Sequence, residues 1–170
     1  MFRAFAEVID ENRLDYLHST TKIVLTTDIP RLCFGGKSYE DLKKGVVLNV
    51  WNWVADILVS KGYAEHVSKP TVASQLVQTE WREKNNPAEL QSIPKHFYVE
   101  VSKTAAYDDN VRKRFLDIVT MRMTKIVSIA AKRLEGDIVR RMTPEEENLY
   151  RRVFRIVDEW VNAVLSRGDG

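Results

Sequence analysis

The stretch DLKKGVVLNVWNWVADILVSKGY, residues 41–63, decides the fold of the N-terminal part of the chain. Its Leu-Lys-Lys-Gly turn leads into Val46 to Val50, a β-branched run that favours a strand. The run continues directly into an amphipathic helix, predicted from about Asn52 to Lys61. A strand that passes into a helix, with Trp51 and Trp53 at the corner, predicts a small sheet packed against that helix.

Further strand-like runs lie on both sides of this stretch. Lys22 to Thr27 and Arg31 to Phe34 are predicted strands, and Tyr63 to Val67 is a predicted edge strand. The apolar spacing between Met1 and Asp10 predicts a short helix before them. The sequence therefore predicts a small, β-rich α+β module over residues 1–67.

The pattern changes near Ser68 to Pro70, and no convincing strand follows. Residues 70–168 are predicted to form a larger, all-helical bundle, so the fold class of the whole chain is α+β. The first predicted helix of this module should place Val72, Leu76 and Val77 inward. The predicted helices run over Thr71–Lys84, Lys95–Ala106, Asp108–Glu135 and from Thr143 onward.

The longest of these helices carries apolar residues spaced by three or four over its whole length. The stripe is so broad that either the helix is central to a bundle or part of it faces another chain. We take the second possibility as the prediction of a subunit interface. The candidate interface residues are Phe115, Ile118, Val119, Met123, Ile126 and Ile129.

The last helix has the clearest start signal in the sequence. Thr143 is the predicted N-cap, Pro144 occupies the first helical position, and Glu146 completes a capping box. Gly168 is expected to follow the end of the helix. The apolar face that follows the start is predicted to be buried, and it consists of Leu149, Val153, Ile156, Val157, Trp160 and Val164.

No catalytic, metal-binding or cofactor-binding constellation is predicted. Gly36-Lys37-Ser38 resembles the end of a phosphate-binding loop, but Arg31 stands where that loop needs a glycine, so a surface turn is the better interpretation. The three histidines share no ligand spacing with Cys33. That single cysteine, between Leu32 and Phe34, is expected to be a buried small hydrophobe. The sequence favours a protein that is not an enzyme.

Charge is distributed unevenly along the chain. Residues 1–95 carry 12 basic and 12 acidic side chains, whereas residues 112–155 carry 12 basic and 6 acidic ones. A solvated helix face explains this, but a direct DNA-binding module is the alternative, because clustered cations bind phosphates. The candidate nucleic-acid contacts of that alternative are Arg140, Arg141, Arg151 and Arg152.

Several short motifs, in this order, resemble the GINS family, the subunits of a replication-fork assembly. An L-x-x-G turn at Leu42 to Gly45, the strand Val46 to Val50 and Trp53-Val54-Ala55 resemble its β module. Its helical module resembles the chain in three further segments. These are IPKHFYVEV at 93–101, R-x-x-K-I at 122–126 and T-x-E-E at 143–146.

One position departs from the family pattern. Members often have proline two residues before the tryptophan, where this chain has Trp51. Trp51 and Trp53 are nonetheless the candidate partner contacts of the β module.

The resemblance implies a non-enzymatic scaffold that binds no cofactor and assembles through its helical module. With the β module first, the chain resembles the archaeal class that pairs with a paralogous GINS subunit of permuted domain order, as a 2:2 heterotetramer. The assembly is expected to link and activate the MCM helicase with a RecJ-like protein, and primase is a further expected contact. DNA contact should be weak or indirect.

No apolar run approaches the roughly 20 residues that span a membrane. The N-terminus has acidic residues where a signal peptide has its apolar core. We therefore expect a cytoplasmic, nucleoid-associated protein of an archaeal cell.

Overall fold

The computed structural model describes residues 3–67 and 70–166 of the chain. The fold is α+β, as predicted, with five strands in the N-terminal part and a larger helical region after them. The chain divides into two compact units, one of residues 13–70 and one of residues 1–12 with 71–170. We call them the strand unit and the helical unit. No helix among the described residues is both long enough and apolar enough to cross a membrane.

Helix α1 (Phe5–His18) contributes residues to both units, because the division falls inside it. The predicted division at Ser68 to Pro70 includes residues 68 and 69, which lie outside the described residues. The predicted modules, 1–67 and 70–168, therefore stay a prediction.

The strand unit contains a three-stranded antiparallel sheet of order β4-β1-β5 and a separate hairpin, β2–β3. Helix α2 (Asn52–Ser60) follows β4 without a loop, as predicted. The strands are β1 (Thr20–Leu25), β2 (Ile29–Phe34), β3 (Lys37–Leu42), β4 (Val47–Trp51) and β5 (Ala64–His66).

Alternate residues of β1 and β4 build the apolar core of the strand unit. Ile23, Leu25 and Val50 are at most 2% exposed, and Val54 and Leu58 of α2 belong to the same core cluster. Residues two apart on a strand share a face, so one face of the sheet is covered by the helix.

Two predictions about the hairpin were wrong. Gly36 lies in the turn as predicted, but Lys37 and Ser38 begin strand β3 and are not part of it. Cys33 is exposed, because Leu32 and Phe34 on either side of it face the core and successive strand residues point to opposite faces. Its thiol lies 3.3 Å from the Ser38 hydroxyl, and this hydrogen bond lowers the pKa of Cys33.

The helical unit contains four helices in addition to the start of α1. They are α3 (Val72–Asn85), α4 (Phe97–Ala105), α5 (Asp109–Ala131) and α6 (Pro144–Ser166), with a short 3-10 helix at Val139–Arg141. Helix α5 packs against the other three. Its first half lies in a cluster with α3 and α4, and its second half lies in a cluster with α6.

Polar side chains cap three of these helices. Thr71 accepts a hydrogen bond from the Ser74 amide, and Asp108 accepts one from the Asn110 amide. The predicted capping box is present: the Thr143 amide donates to Glu146 at 3.0 Å, and the Glu146 amide donates to the Thr143 hydroxyl at 3.4 Å. The predicted helix end at Gly168 lies outside the described residues.

Within α3 the prediction was partly wrong. Leu76 is fully buried, but Val77 is 52% exposed because it lies one residue, or about 100°, further round the helix.

Candidate interaction surfaces

A closed cluster of charged side chains lies inside the helical unit. The Arg122 side chain of α5 is fully buried, and its guanidinium donates to Glu146 Oε1 at 2.6 Å and Oε2 at 2.8 Å. It also donates to the carboxylate of Glu83, on α3. One cation therefore joins three helices, through the geometry that makes guanidinium–carboxylate pairs strong.

Lys125, one turn further along α5, extends this cluster to the segment between α3 and α4. Its ammonium pairs with the Glu83 carboxylate. It also donates to main-chain carbonyls, at 2.9 Å to Glu83, 2.8 Å to Asn86 and 3.1 Å to Glu89. The R-x-x-K spacing thus places both cations on one face of the helix, where they organise a loop.

Tyr98 of α4 completes the cluster, because its hydroxyl donates a hydrogen bond to Glu146. Burial, with the nearby negative charge of Glu146, raises the pKa of Tyr98 well above its usual value. Burial opposes the charge of Arg122, but its bonds to Glu146 dominate and raise the pKa of that guanidinium. These groups are satisfied by one another, so the cluster stabilises the fold and presents no reactive group to solvent.

Most of the predicted interface on α5 lies in the interior of the chain. Ile118, Ile126 and Ile129 are at most 4% exposed and belong to its own core, while Phe115 and Val119 are half-buried. The broad stripe is covered because α3, α4 and α6 all pack on α5. Of the predicted residues, only Met123 is exposed. The exposed large apolar residues of this helix are Leu116, Met123 and Val127.

The end of α6 presents a larger apolar surface. We define the α6 end as residues 155–166, none of which is buried. Here the predicted burial was wrong for Ile156, Trp160 and Val164, which are 66%, 66% and 53% exposed, and Leu165 is 68% exposed. The prediction failed because helical periodicity identifies an apolar face but not what covers it.

Polar residues of the α6 end are confined to one strip. They are Arg155, Asp158, Glu159, Asn162 and Ser166, spaced by three or four. Arg155 pairs with Glu159 at 2.6 Å, and Asp158 pairs with Arg133. The rest of the circumference is apolar, an arrangement typical of a helix that is buried in an assembly.

The two candidate tryptophans of the strand unit belong to a row of four aromatic rings. Ring centroids are 5.4 Å apart between Tyr39 and Phe34, and 6.1 Å apart in each of the pairs Phe34–Trp51 and Trp51–Trp53. All four side chains are half-buried. Trp51 therefore fastens the hairpin to the sheet, and a partner contact at Trp51 and Trp53 stays a prediction.

The four candidate nucleic-acid arginines all have partners within the chain. Arg140 pairs with Asp137 at 3.3 Å, Arg141 with Glu89 at 3.2 Å, and Arg151 with Glu147 at 2.5 Å. The fourth, Arg152, donates to the Arg3 carbonyl, and its guanidinium carbon lies 4.0 Å from the centre of the Phe5 ring. Asp137 and Glu147 belong to the same segment, residues 112–155, and are already counted in its charge, so of these pairs only Arg141–Glu89 reduces its excess. Arg152 joins α1 to α6.

Sequence reasoning missed several exposed apolar residues, chiefly Leu116 on α5, Leu165 on α6 and Trp81 on α3, which is 65% exposed. Each of these residues lies outside the main apolar stripe of its helix, and that position is the sequence signal that could have indicated their exposure. Among the residues that the structure describes, no group of three or more His, Cys, Asp or Glu side chains is placed to hold a metal ion.

Comparison with protein families places the helical unit within a known family. The family model named Sld5, described as GINS complex protein helical bundle domain, matches residues 73–165. The match spans α3 to α6 and includes the buried charged cluster and nearly all of the α6 end. A search of curated proteins found no match.

Proposed function

Because the chain belongs to the GINS complex family of DNA replication factors, whose helical bundle domain it carries over most of the helical unit, we propose that it is a non-enzymatic scaffold subunit. Its immediate partner is a paralogous GINS subunit of permuted domain order, in a 2:2 heterotetramer of the archaeal class. The assembly links and activates the MCM helicase with a RecJ-like protein, and primase is a further contact.

The exposed apolar surface of the α6 end is the observation that carries this proposal. Ile156, Trp160 and Leu165 are each about two-thirds exposed on a helix whose buried residues all lie in its first two turns. Covering one such side chain is worth about 1.5–3 kcal/mol. A partner helix packed along the α6 end would bury several of them, as subunit interfaces do.

The scaffold role is further supported by the state of the charged groups. Arg122 forms buried ion pairs with Glu83 and Glu146 inside the fold, so none of the three is available to a ligand. Arg140 and Arg151 each have a carboxylate within ion-pair distance, which would compete with phosphates for these cations. We therefore propose that DNA contact is weak or indirect.

The test is a substitution that damages the α6 end without touching the core. Trp160→Asp should abolish co-purification with the paralogous subunit, because an unpaired charge in an apolar interface is costly. Its far-UV circular dichroism should match that of the wild type, since Trp160 is exposed in the single chain. The masses of the purified complexes would be measured by light scattering after size exclusion.

Ser166→Asp is the matched control, because it adds the same charge to the polar strip of the same helix end. It should assemble as the wild type does. Unchanged assembly of Trp160→Asp would exclude the α6 end as the interface. A purified chain that stays monomeric with the paralogue, yet binds DNA at physiological salt through Arg140 and Arg151, would replace the scaffold with the DNA-binding alternative.

A further inference from the structure

Strand β4 is one edge of the three-stranded sheet, since the strand order is β4-β1-β5. Edge strands carry main-chain donors and acceptors that no neighbouring strand uses. Such an edge is a template for pairing with another chain unless the sequence guards it.

The register shows which residues of β4 face outward. The Leu25 amide donates to the Val46 carbonyl at 3.0 Å, and the Asn52 amide donates to the Ser19 carbonyl at 2.8 Å. Main-chain groups point alternately toward and away from a given neighbour in an antiparallel pair. The even-numbered residues of β4 therefore bond to β1.

The main-chain groups of Val47, Asn49 and Trp51 consequently point away from β1. Among residues 3–67 and 70–166, no strand pairs with this side of β4, although the Trp51 carbonyl is used at the start of α2, where Trp51 is the N-cap. The Asn49 side chain is exposed, as is 55% of Val47. The edge thus offers an unused ladder beside accessible side chains.

The other edge strands of the unit have features that discourage pairing with another chain, and β4 lacks them. Strand β2 contains Pro30, β3 contains Lys37, Glu40 and Asp41, and β5 is only three residues long and includes Glu65. Proline, charge and short length each discourage strand addition. Strand β4 reads VLNVW, without proline or charge.

We propose that β4 pairs with β4 of a second copy of this chain, antiparallel and centred on Asn49. In that register Asn49 faces Asn49 of the other copy, and Val47 faces Trp51. The central pair places two amide side chains opposite each other, and the flanking pairs are aromatic with β-branched, which favours cross-strand packing. No like charges meet, so the edge is self-complementary.

Two strands of five residues make a small contact, below the roughly 1,000 Å² of a stable interface. The pairing is therefore weak and rises with protein concentration. The pairing uses the strand unit only, so it can be tested independently of the interface proposed at the α6 end.

Disulfide capture in the full chain tests this pairing. In a Cys33→Ser background, Asn49→Cys should oxidise to a covalent dimer at least several-fold faster than Lys22→Cys. Lys22 is exposed and lies opposite Asn49 on the central strand β1. Paired copies bring the residue-49 Cα atoms to about 5.5 Å, within disulfide range, but hold the residue-22 atoms roughly three strand spacings apart.

Adding Val47→Pro to the Asn49→Cys chain should lower its rate of dimer formation to that of Lys22→Cys. The substitution deletes an outward amide and leaves the bonds to β1 intact. Circular dichroism checks that the sheet is retained. Equal rates for the two cysteines, or no effect of Val47→Pro, would overturn the pairing. In the Trp160→Asp background, Asn49→Cys should still form dimers faster than Lys22→Cys. Loss of that difference would show that the contact depends on the α6 end.

Discussion

The two units of the chain bury different chemistry. The core of the strand unit is apolar, and among its described residues Asn52 is the buried polar side chain, donating to the Tyr16 carbonyl at 2.9 Å. The helical unit instead buries Arg122, Glu83 and Glu146. An apolar core tolerates exchanges between apolar side chains of similar volume. Removal of one member of a buried charged cluster leaves the others buried without a partner, which is costly. The helical unit should therefore be the more sensitive to single polar substitutions.

The largest effect that would sharpen this contrast is expected from Arg122→Met. It leaves Glu146 buried without a cation and Glu83 with Lys125 alone, so the free energy of unfolding should fall by about 3–5 kcal/mol. Chemical denaturation followed by helical circular dichroism measures it. Arg112→Met, an exposed arginine on the same helix, should change stability by no more than about 0.5 kcal/mol. Equal effects of the two changes would mean that the cluster contributes nothing.

A smaller effect is expected in the strand unit from Gly35→Ala. A Cβ there would lie 2.3 Å from the Trp51 ring, and the φ angle is +55°. The clash should cost about 1–3 kcal/mol, measured as loss of the near-ultraviolet tryptophan signal in denaturant. Gly36→Ala is the control, with φ +75° and no atom within 4 Å, so it should show only the backbone cost of about 1–2 kcal/mol. The two variants would be indistinguishable if Trp51 did not fasten the hairpin.

The smallest effect concerns pH. Because the folded-state pKa of Tyr98 is raised, the folded chain keeps a proton that the unfolded chain releases above about pH 10. Stability should therefore be fully present below that pH and decline above it, by about 1.4 kcal/mol per pH unit from this group. Tyr98→Phe should flatten the decline, in denaturation at pH 9, 10 and 11. An unchanged slope would contradict the role of Tyr98.

How far the sequence predicts this molecule depends on the range of the interactions. The capping box at Thr143 and Glu146 was predictable, since its residues are three apart. The pair Arg122–Glu83 joins residues 39 apart, and no local pattern indicates it. R-x-x-K-I and T-x-E-E are motifs of the family, but only the structure shows that Arg122 and Glu146 from those two motifs bind each other.

The same limit applies to the candidate site. The stripe on α5 was correctly identified as apolar, yet Ile118 and Ile126 face neighbouring helices of the same chain. The stripe on α6 was equally clear, yet Trp160 faces solvent. Periodicity predicts a face that must be covered, whereas the covering partner is set by the packing of the other helices.

Glu146 links the start of α6 to the interior of the bundle, because the same carboxylate caps the helix and pairs with Arg122. The first turn of a helix is the costly one to form, so α6 is nucleated best in a chain whose α5 is already docked. We therefore expect the apolar end that follows to become ordered only when the bundle has closed. An incompletely folded copy should then lack an ordered α6 end, and so fail to bind any partner that recognises this surface.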